Sequence, residues 1–311
     1  MPSSASQTGP DPRPPRARRP AAAIAVLLLA GALAALAIIV AATTGGRVES
    51  SLAAAGPAAR AGVPAGGEPA RLRYRIVGCV SRGEAAIRSG PPVREVAVGF
   101  DDGPWADTPE FVTMLERAGV RATFFMIGRQ VTSSFRSTLL RELRDGDVLG
   151  DHTFTHPELT RSPEVRNQLL RTIAVIRGLT GYTPCVFRPP YGAYDSEVLR
   201  TARSLGLSTI LWNVDPTDWA LPGTPAIIQR VLAQVRPGSI IISHDGGGPR
   251  GETLAAYPTI FRDLRARGYR VVTLLELLGY RPVYEPCILL CDGLGVKRSQ
   301  LPRNAIIRPS A

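Results

Sequence analysis

The sequence is poor in lysine, cysteine and histidine, and these scarcities exclude several classes of function. Lys297 is the only lysine, so arginine carries nearly all of the positive charge behind the formal net charge of +11. The four cysteines form no CxxC spacing, which argues against a zinc finger or a thioredoxin-like site. Three consecutive glycines at 246–248 are not followed by the GK[ST] of a phosphate-binding loop, so we interpret them as a flexible rim. No nucleic-acid-binding module accompanies the charge, and we predict no nucleic-acid partner.

A long apolar run stands near the N-terminus. Residues 21–42 carry no charge and would form a helix about 33 Å long, enough to cross a hydrocarbon core of about 30 Å. The preceding residues 1–20 are basic and proline-rich, which predicts a cytoplasmic tail, a signal-anchor helix and a single-pass cell-membrane protein whose remaining chain is extracellular. A cleaved signal peptide, giving a secreted protein, is the alternative, although signal cores are shorter, at about 7 to 15 residues.

The chain after this run divides into a linker, a domain and an extension. Residues 43–70 are rich in Ala, Gly and Pro without hydrophobic periodicity, which predicts a flexible linker. We expect one domain over residues 71–280 and an extension over residues 281–311. The part predicted to be outside the cell holds four cysteines, for which three pairings into two disulfides stay open: Cys79, Cys185, Cys287 and Cys291.

From about Val93 onward, short β-branched runs alternate with amphipathic helices that end at glycine. The run VREVAVGF at 93–100 is typical of a strand, and the helix after it is predicted to have Thr108 as its N-cap and Gly119 as its stop. Strands separated by helices of ten or more residues pair in parallel. We therefore predict an α/β fold, a distorted or incomplete (β/α) TIM-like barrel of about seven strands. The further predicted strands lie at 121–128, 148–152, 186–190, 207–213, 239–244 and 269–274.

Polar side chains stand near the carboxyl ends of five of the predicted strands. In a parallel barrel these ends open on one face, where active sites are built. We therefore expect polar groups from five segments to converge on one site. They are Asp101 and Asp102 after the first strand, His152 at the third, Arg188 at the fourth, Asp215 and Asp218 after the fifth, and His244 at the sixth.

Two of the three histidines lie in the segment DHTFTHP at 151–157. A spacing of four lets the rings of His152 and His156 face one ion, and Asp101 or Asp102 can supply a third ligand. This donor set suits zinc best among divalent metals, and cobalt or nickel also fit. A single histidine pair at this spacing more often lies on the surface or in the core without binding a metal. The metal-site hypothesis therefore depends on the acidic residues nearby.

Five motifs occur in one order along the chain: FDDGP at 100–104, HTFTHP at 152–157, RPPYG at 188–192, DPTDW at 215–219 and ISH at 242–244. In order and approximate spacing they resemble the polysaccharide deacetylases, carbohydrate esterase family 4, across roughly Val93 to Tyr280. The resemblance implies a metal-dependent polysaccharide N-deacetylase, a hydrolase of carbon–nitrogen bonds other than peptide bonds, with a divalent metal cofactor and a glycan substrate. Because the domain is predicted to be tethered outside the membrane, we expect peptidoglycan or another cell-envelope glycan as substrate, and we expect a monomer.

The resemblance also implies roles for individual residues. Three are implied as metal ligands: Asp102, His152 and His156. Four are implied as catalytic: the general base Asp101 with Arg188 beside it, and the general acid His244 with Asp218 beside it. Three are implied to contact substrate: Tyr191, whose backbone N–H would hold the oxyanion, Trp219 as a wall of the sugar groove, and Pro190.

The chain departs from the family pattern at two positions and leaves two other functions open. Gly99 stands where the family usually carries threonine, and Ile242 where leucine is common; neither removes a reacting group. An O-acetyl esterase acting on xylan-like or cell-wall glycans would use the same residues. A non-catalytic glycan-binding protein of the same fold is the other alternative, and the presence of every expected reacting group argues against it. Asp215 is expected to make structural hydrogen bonds only.

Overall fold

The structure, a computed structural model, describes residues 73–84, 86–287, 291 and 295–309. The predicted tail, membrane helix and linker at 1–20, 21–42 and 43–70 lie outside these residues. None of the helices in the described ranges combines the length and the apolar character that a bilayer-spanning segment needs.

Strands and helices alternate along most of the described chain, as the sequence predicts. The strands are β1 (Arg73–Val80), β2 (Glu95–Gly103), β3 (Thr123–Met126), β4 (Val148–Asp151), β5 (Val186–Phe187), β6 (Ser208–Thr209), β7 (Ile240–His244), β8 (Arg270–Val272), β9 (Arg281–Cys287), β10 (Val296–Lys297) and β11 (Ile306–Ile307). The α-helices are α1 (Thr108–Ala118), α2 (Arg136–Asp145), α3 (Val165–Thr180), α4 (Ser196–Ser204), α5 (Thr224–Gln234), α6 (Gly251–Ala266) and α7 (Leu274–Leu278).

The main sheet has seven parallel strands, in the order β6-β5-β4-β3-β2-β7, with β8 paired to β2. β2 is central because it pairs with β3, β7 and β8. It is buried on both faces, which explains why its run VAVGF is continuously apolar and does not alternate. After β6, a parallel bridge between Val214 and Ile241 brings the chain beside β7. The predicted barrel-like α/β fold is confirmed as a curled parallel half-barrel.

The core fixes the end of β2, where the two adjacent aspartates stand. Phe100 is fully buried, and its ring packs against Phe111, Phe124 and Tyr257 at centroid distances of 5.1, 5.5 and 5.0 Å. Burying one such phenylalanine side chain stabilises a fold by about 1.5–3 kcal/mol. The residue directly before Asp101 is therefore held firmly in the core.

Glycine ends the first three helices, as predicted. Gly119, Gly146 and Gly181 follow α1, α2 and α3 in the left-handed conformation that glycine adopts without strain. The predicted N-cap role of Thr108 is wrong. The helix already begins at that residue, and its hydroxyl donates a hydrogen bond to the carboxylate of Asp245.

A second sheet, which the sequence did not predict, joins the two ends of the described chain. β1 pairs antiparallel with β9 and β10, and β11 pairs parallel with β9. The predicted extension at 281–311 thus contributes strands, and their partner lies before the first predicted strand. Disulfides join Cys79 to Cys185 and Cys287 to Cys291, which selects one of the three possible pairings. The first of them ties β1 to the residue that precedes β5.

Candidate active site

A pocket of about 550 Å³ opens where the main-sheet strands end. Parallel pairing brings these ends together, and Asp101 at the end of β2 stands in register with His244 at the end of β7. The convergence of polar groups predicted from sequence is therefore observed. The predicted site residues that line the pocket are Asp101, Asp102, His152, His156, Tyr191, Asp215, Trp219 and His244.

Asp102, His152 and His156 each bring one ligand atom to within 4.8 Å of the others. The Oδ1 of Asp102 lies 3.5 Å from Nε2 of His152 and 3.3 Å from Nε2 of His156. Asp102 and His156 have φ angles of 71° and 63°, a conformation that is uncommon outside glycine and concentrates at functional sites. Of the two aspartates that the spacing left open, Asp102 is the one that joins both histidines.

Hydrogen bonding prepares this group for a metal ion. The Nδ1 of His152 lies 2.7 Å from the carbonyl oxygen of Arg188, and since a carbonyl can only accept, Nδ1 donates. Nε2 of His152 is then the ring nitrogen left for a metal ion, as in metal-binding histidines whose other ring nitrogen is hydrogen-bonded. The buried Oδ1 of Asp102 has no hydrogen-bond partner among the described residues. Two imidazole nitrogens and one carboxylate oxygen fit a divalent cation of the zinc type.

The protonation states of the group also suit a cation. Burial by itself raises the pKa of Asp102, but the neighbouring imidazoles, that of His152 first, outweigh burial and hold this pKa well below its ordinary value. Burial, and then the charge of His152, lowers the pKa of His156. An ionised carboxylate and a neutral imidazole are the forms that bind metal.

The second feature of the pocket is a buried ion pair between Asp101 and Arg188. Nη1 of Arg188 lies 2.6 Å from Oδ1 of Asp101, and the two side chains are 0% and 2% exposed. The guanidinium packs over the ring of Phe125, 4.1 Å from its centroid. It occupies space left by Gly99, where an added Cβ would lie 2.5 Å from Nη1.

This ion pair leaves one carboxylate oxygen of Asp101 directed at the metal group. Oδ2 of Asp101 lies 3.9 Å from Nε2 of His152. Burial lowers the pKa of Arg188 while the charge of Asp101 opposes this, and arginine keeps its charge in proteins. Arg188 is therefore a permanent cation that holds Asp101 in one orientation.

The third feature is a hydrogen-bonded pair of His244 and Asp218. Nδ1 of His244 lies 2.8 Å from Oδ1 of Asp218, whose Oδ2 accepts from the backbone N–H of His244 and from the hydroxyl of Thr253, both at 2.9 Å. Burial by itself lowers the pKa of His244, but the Asp218 carboxylate overcomes it and raises the pKa above its ordinary value. The imidazolium form is thus favoured, with Nδ1–H bound to Asp218.

Aromatic side chains form the wall of the pocket. Trp219 is 58% exposed and Tyr191 is 71% exposed, with the Tyr191 ring edge-on to that of His156 at 4.9 Å. Pro190 is buried in the 3-10 turn that carries Tyr191 and does not line the pocket. The Oδ1 of Asp215 accepts from the backbone N–H of Thr217 at 2.7 Å, the structural hydrogen bonding expected for it.

Sequence reasoning missed one buried acid beside the site, Asp245. Its backbone N–H donates to the carbonyl of Asp101 at 3.1 Å, and its Oδ1 has no hydrogen-bond partner in the described part of the chain. Burial raises its pKa to about 7. Its position directly after His244 was the available signal. The residue after it, Gly246, packs so closely that an added Cβ would lie 2.0 Å from the carbonyl oxygen of Asp102.

Comparisons with known proteins agree with this geometry. The sequence profile described as polysaccharide deacetylase matches residues 88–210. A peptidoglycan-N-acetylglucosamine deacetylase of Bacillus cereus (strain ATCC 14579) is 36% identical over 192 residues, which cover 60% of this chain and 89% of that protein. The peptidoglycan-N-acetylglucosamine deacetylase PgdA of Listeria monocytogenes is 38% identical over 189 residues, 60% of this chain; the match spans 39% of that relative's length.

A solved structure shows the same similarity in three dimensions. The crystal structure of the Bc1960 peptidoglycan N-acetylglucosamine deacetylase superposes with a TM-score of 0.60 at 34% sequence identity. The aligned part covers 63% of this chain and 92% of that one. The similarity therefore includes nearly the whole of the compared domain.

Proposed function

This chain belongs to the polysaccharide deacetylase family, and from that premise we propose that it removes N-acetyl groups from the sugars of a cell-envelope glycan, with peptidoglycan as the substrate. One observation carries the proposal. A His–His–Asp group, a buried acid–arginine pair and a histidine–acid pair all face one pocket that has exposed aromatic walls. Amide hydrolysis needs a base, an acid and oxyanion stabilisation in one place.

The ligands proposed for the metal are Asp102, His152 and His156, and zinc is the proposed ion. When bound, such a cation supplies Lewis acidity, which lowers the pKa of water and polarises a carbonyl group. The residues themselves orient the reactants. Nδ1 of His152 is occupied by the Arg188 carbonyl, so this ring is fixed with Nε2 toward the group.

Asp101 is proposed as the general base. Its Oδ1 is occupied by Arg188, so Oδ2 accepts the proton of the attacking water while the water oxygen bonds to the acetyl carbon. The permanent charge of Arg188 keeps the carboxylate from turning away between turnovers. Tyr191 is proposed to hold the developing oxyanion through its backbone N–H, as the family resemblance implies.

His244 is proposed as the general acid. Its Nδ1–H is held by Asp218, so Nε2–H donates a proton to the sugar nitrogen as the carbon–nitrogen bond breaks. The products are acetate and a free amine. One proton has moved from water to Asp101 and one from His244 to the leaving nitrogen, and the two groups then exchange protons with solvent.

Acetate release tests the proposal directly. Full-length protein, loaded with zinc, should release acetate from peptidoglycan, and chelation followed by added zinc should remove and restore this activity. The panel includes chitin oligomers and acetylated xylan, because faster release from the ester-bearing xylan would favour an O-acetyl esterase. Absence of acetate from every glycan in the panel would rule out the hydrolase.

We also propose that residues 21–42 anchor the protein in the cell membrane with residues 71–311 outside. The support is their uncharged length and the arginines before them. Membrane fractionation after a high-salt wash, combined with protease accessibility in intact cells, tests this. Recovery of a shortened, soluble protein from the medium would favour signal cleavage instead.

A further inference from the structure

A second pocket lies beside the proposed catalytic one. It has a volume of about 310 Å³, near the lower end of small-ligand pockets. The residues it shares with the catalytic pocket are Asp102, His156 and Gly247. A glycan that places its acetamide at Asp102 and His156 can therefore extend into it.

One wall of this second pocket is the indole of Trp105, which is 39% exposed. It follows β2 by two residues, and its backbone N–H donates to the hydroxyl of Thr108 at 2.7 Å. An exposed indole with an anchored backbone is suited to stack on the apolar face of a sugar ring. The catalytic pocket presents Trp219 and Tyr191 in the same manner.

The other notable wall is Arg129, whose backbone is fixed while its charge is not neutralised. Its N–H donates to the carbonyl of Phe154 at 2.9 Å, and the side chain of the next residue, Gln130, donates to the carbonyl of Asp102 at 2.6 Å. Within the described ranges, the exposed Arg129 guanidinium has neither an ion pair nor a hydrogen bond, whereas Arg262 pairs with Asp263. It is the cation that this pocket offers to a ligand.

We propose that this second pocket binds a neighbouring sugar that carries a carboxylate, and that Arg129 recognises this carboxylate. The proposal rests on the proposed deacetylase function and names the substrate feature that the site selects. Arginine is the side chain best matched to a carboxylate, because its planar guanidinium can donate two parallel hydrogen bonds. The lactyl-bearing sugar of peptidoglycan has such a carboxylate where no stem peptide is attached to it, and the uncharged sugars of chitin do not.

The charge of the site is compatible with an anionic sugar. Asp102, the carboxylate that lines the second pocket, is a proposed metal ligand, so the bound cation would compensate its charge. Arg129 lines the second pocket and not the catalytic one. It acts on binding of the neighbouring sugar and takes no part in proton transfer.

The test uses two matched tetrasaccharides of alternating N-acetylglucosamine and lactyl-bearing sugar. One has free carboxylates, and in the other these are converted to neutral amides. With zinc-loaded full-length protein, we expect kcat/KM and the calorimetric affinity to favour the carboxylate form by about tenfold, the size expected of one charged hydrogen-bonded contact. Arg129→Gln should abolish the preference, and Arg129→Lys should keep part of it.

Arg200→Gln is the matched control, because Arg200 is exposed on α4 and the substitution removes the same charge away from the second pocket. It should keep the full preference. Trp105→Ala should weaken both tetrasaccharides alike, since stacking does not depend on the carboxylate. The proposal is overturned if Arg129→Gln keeps the preference or weakens both forms equally. Absence of turnover of both forms by the wild type would refute the deacetylase function, while the calorimetric comparison would still decide the role of Arg129.

Discussion

Two carboxylate–cation pairs face the same pocket, and they differ in burial and in the nature of the cation. Asp101 and Arg188 are 2% and 0% exposed, while His244, the partner of the buried Asp218, is 12% exposed. The guanidinium stays charged throughout the range in which proteins are stable, whereas an imidazolium loses its proton near neutrality. The first pair therefore suits a base with a fixed orientation, and the second suits an acid that must release and regain a proton.

The largest expected effect comes from Asp101→Asn, which keeps the shape of the first pair and removes its basicity. We expect kcat to fall by about 10³-fold, within the range for loss of a general base. Acetate release at saturating glycan measures this, and equal zinc content in variant and wild type is the control. A variant that keeps most of the wild-type kcat would exclude Asp101 as the base.

Arg188→Met should have the next largest effect, which is a loss of unfolding free energy. It tests whether the buried Asp101–Arg188 pair matters more for stability than an exposed ion pair. Removing the guanidinium leaves the Asp101 carboxylate buried without its counter-charge, which typically costs about 3–5 kcal/mol. Urea unfolding measures the loss. Arg262→Met is the control: this arginine pairs with Asp263 at an exposed site, so the expected loss is at most about 1 kcal/mol. Equal losses of unfolding free energy in the two variants would contradict the conclusion that the Asp101–Arg188 pair is excluded from solvent.

Asp218→Asn should act on the pH dependence of the reaction. The acid form of His244 is present below its pKa, which Asp218 raises, so activity falls as the pH rises through this raised value. Without the carboxylate, burial remains and lowers the pKa, so the fall should move to lower pH, with kcat reduced about tenfold near neutrality.

The control for this shift is Thr253→Val, which removes only the hydroxyl that donates to Asp218. It leaves the carboxylate in place, so the basic limb of its kcat–pH profile should stay close to that of the wild type. If the limb is unchanged in Asp218→Asn as well, His244 is not the group that titrates.

The main sheet and most of the site could be predicted from sequence because their signals are local. Continuous apolar runs and glycine stops mark the strands and helices, and parallel strand ends then bring Asp102, His152 and His244 together. The second sheet could not be predicted, because β1 pairs with β9 and β10 from the far end of the chain. Such pairing depends on the packed fold and leaves no periodic signal in either segment alone.

Two finer features of the site also required the structure. Spacing could not show which of Asp101 and Asp102 lies beside both histidines, because this depends on the left-handed backbone of Asp102. The Arg188 guanidinium packs against Gly99, a residue distant from it in sequence, in space that a larger side chain would fill. The first depends on a local backbone conformation, and the second on packing between distant segments of the chain.

Gly99→Ala should have the smallest effect and tests how tightly the first pair is packed. The added Cβ would lie 2.5 and 2.7 Å from the two terminal nitrogens of Arg188, so the guanidinium must shift and loosen its bond to Asp101. We expect a loss of about 1–3 kcal/mol in unfolding free energy, the usual cost of overpacking, and a several-fold lower kcat.

Two comparisons decide whether that effect passes through Arg188. Gly178→Ala on α3 is the control, because nothing lies within 4 Å of its added Cβ. In the Arg188→Met background, the flexible methionine can move aside, so Gly99→Ala should cost much less than in the wild type, a non-additivity typical of residues in contact. Additive costs would mean that the effect of the added methyl group does not pass through Arg188.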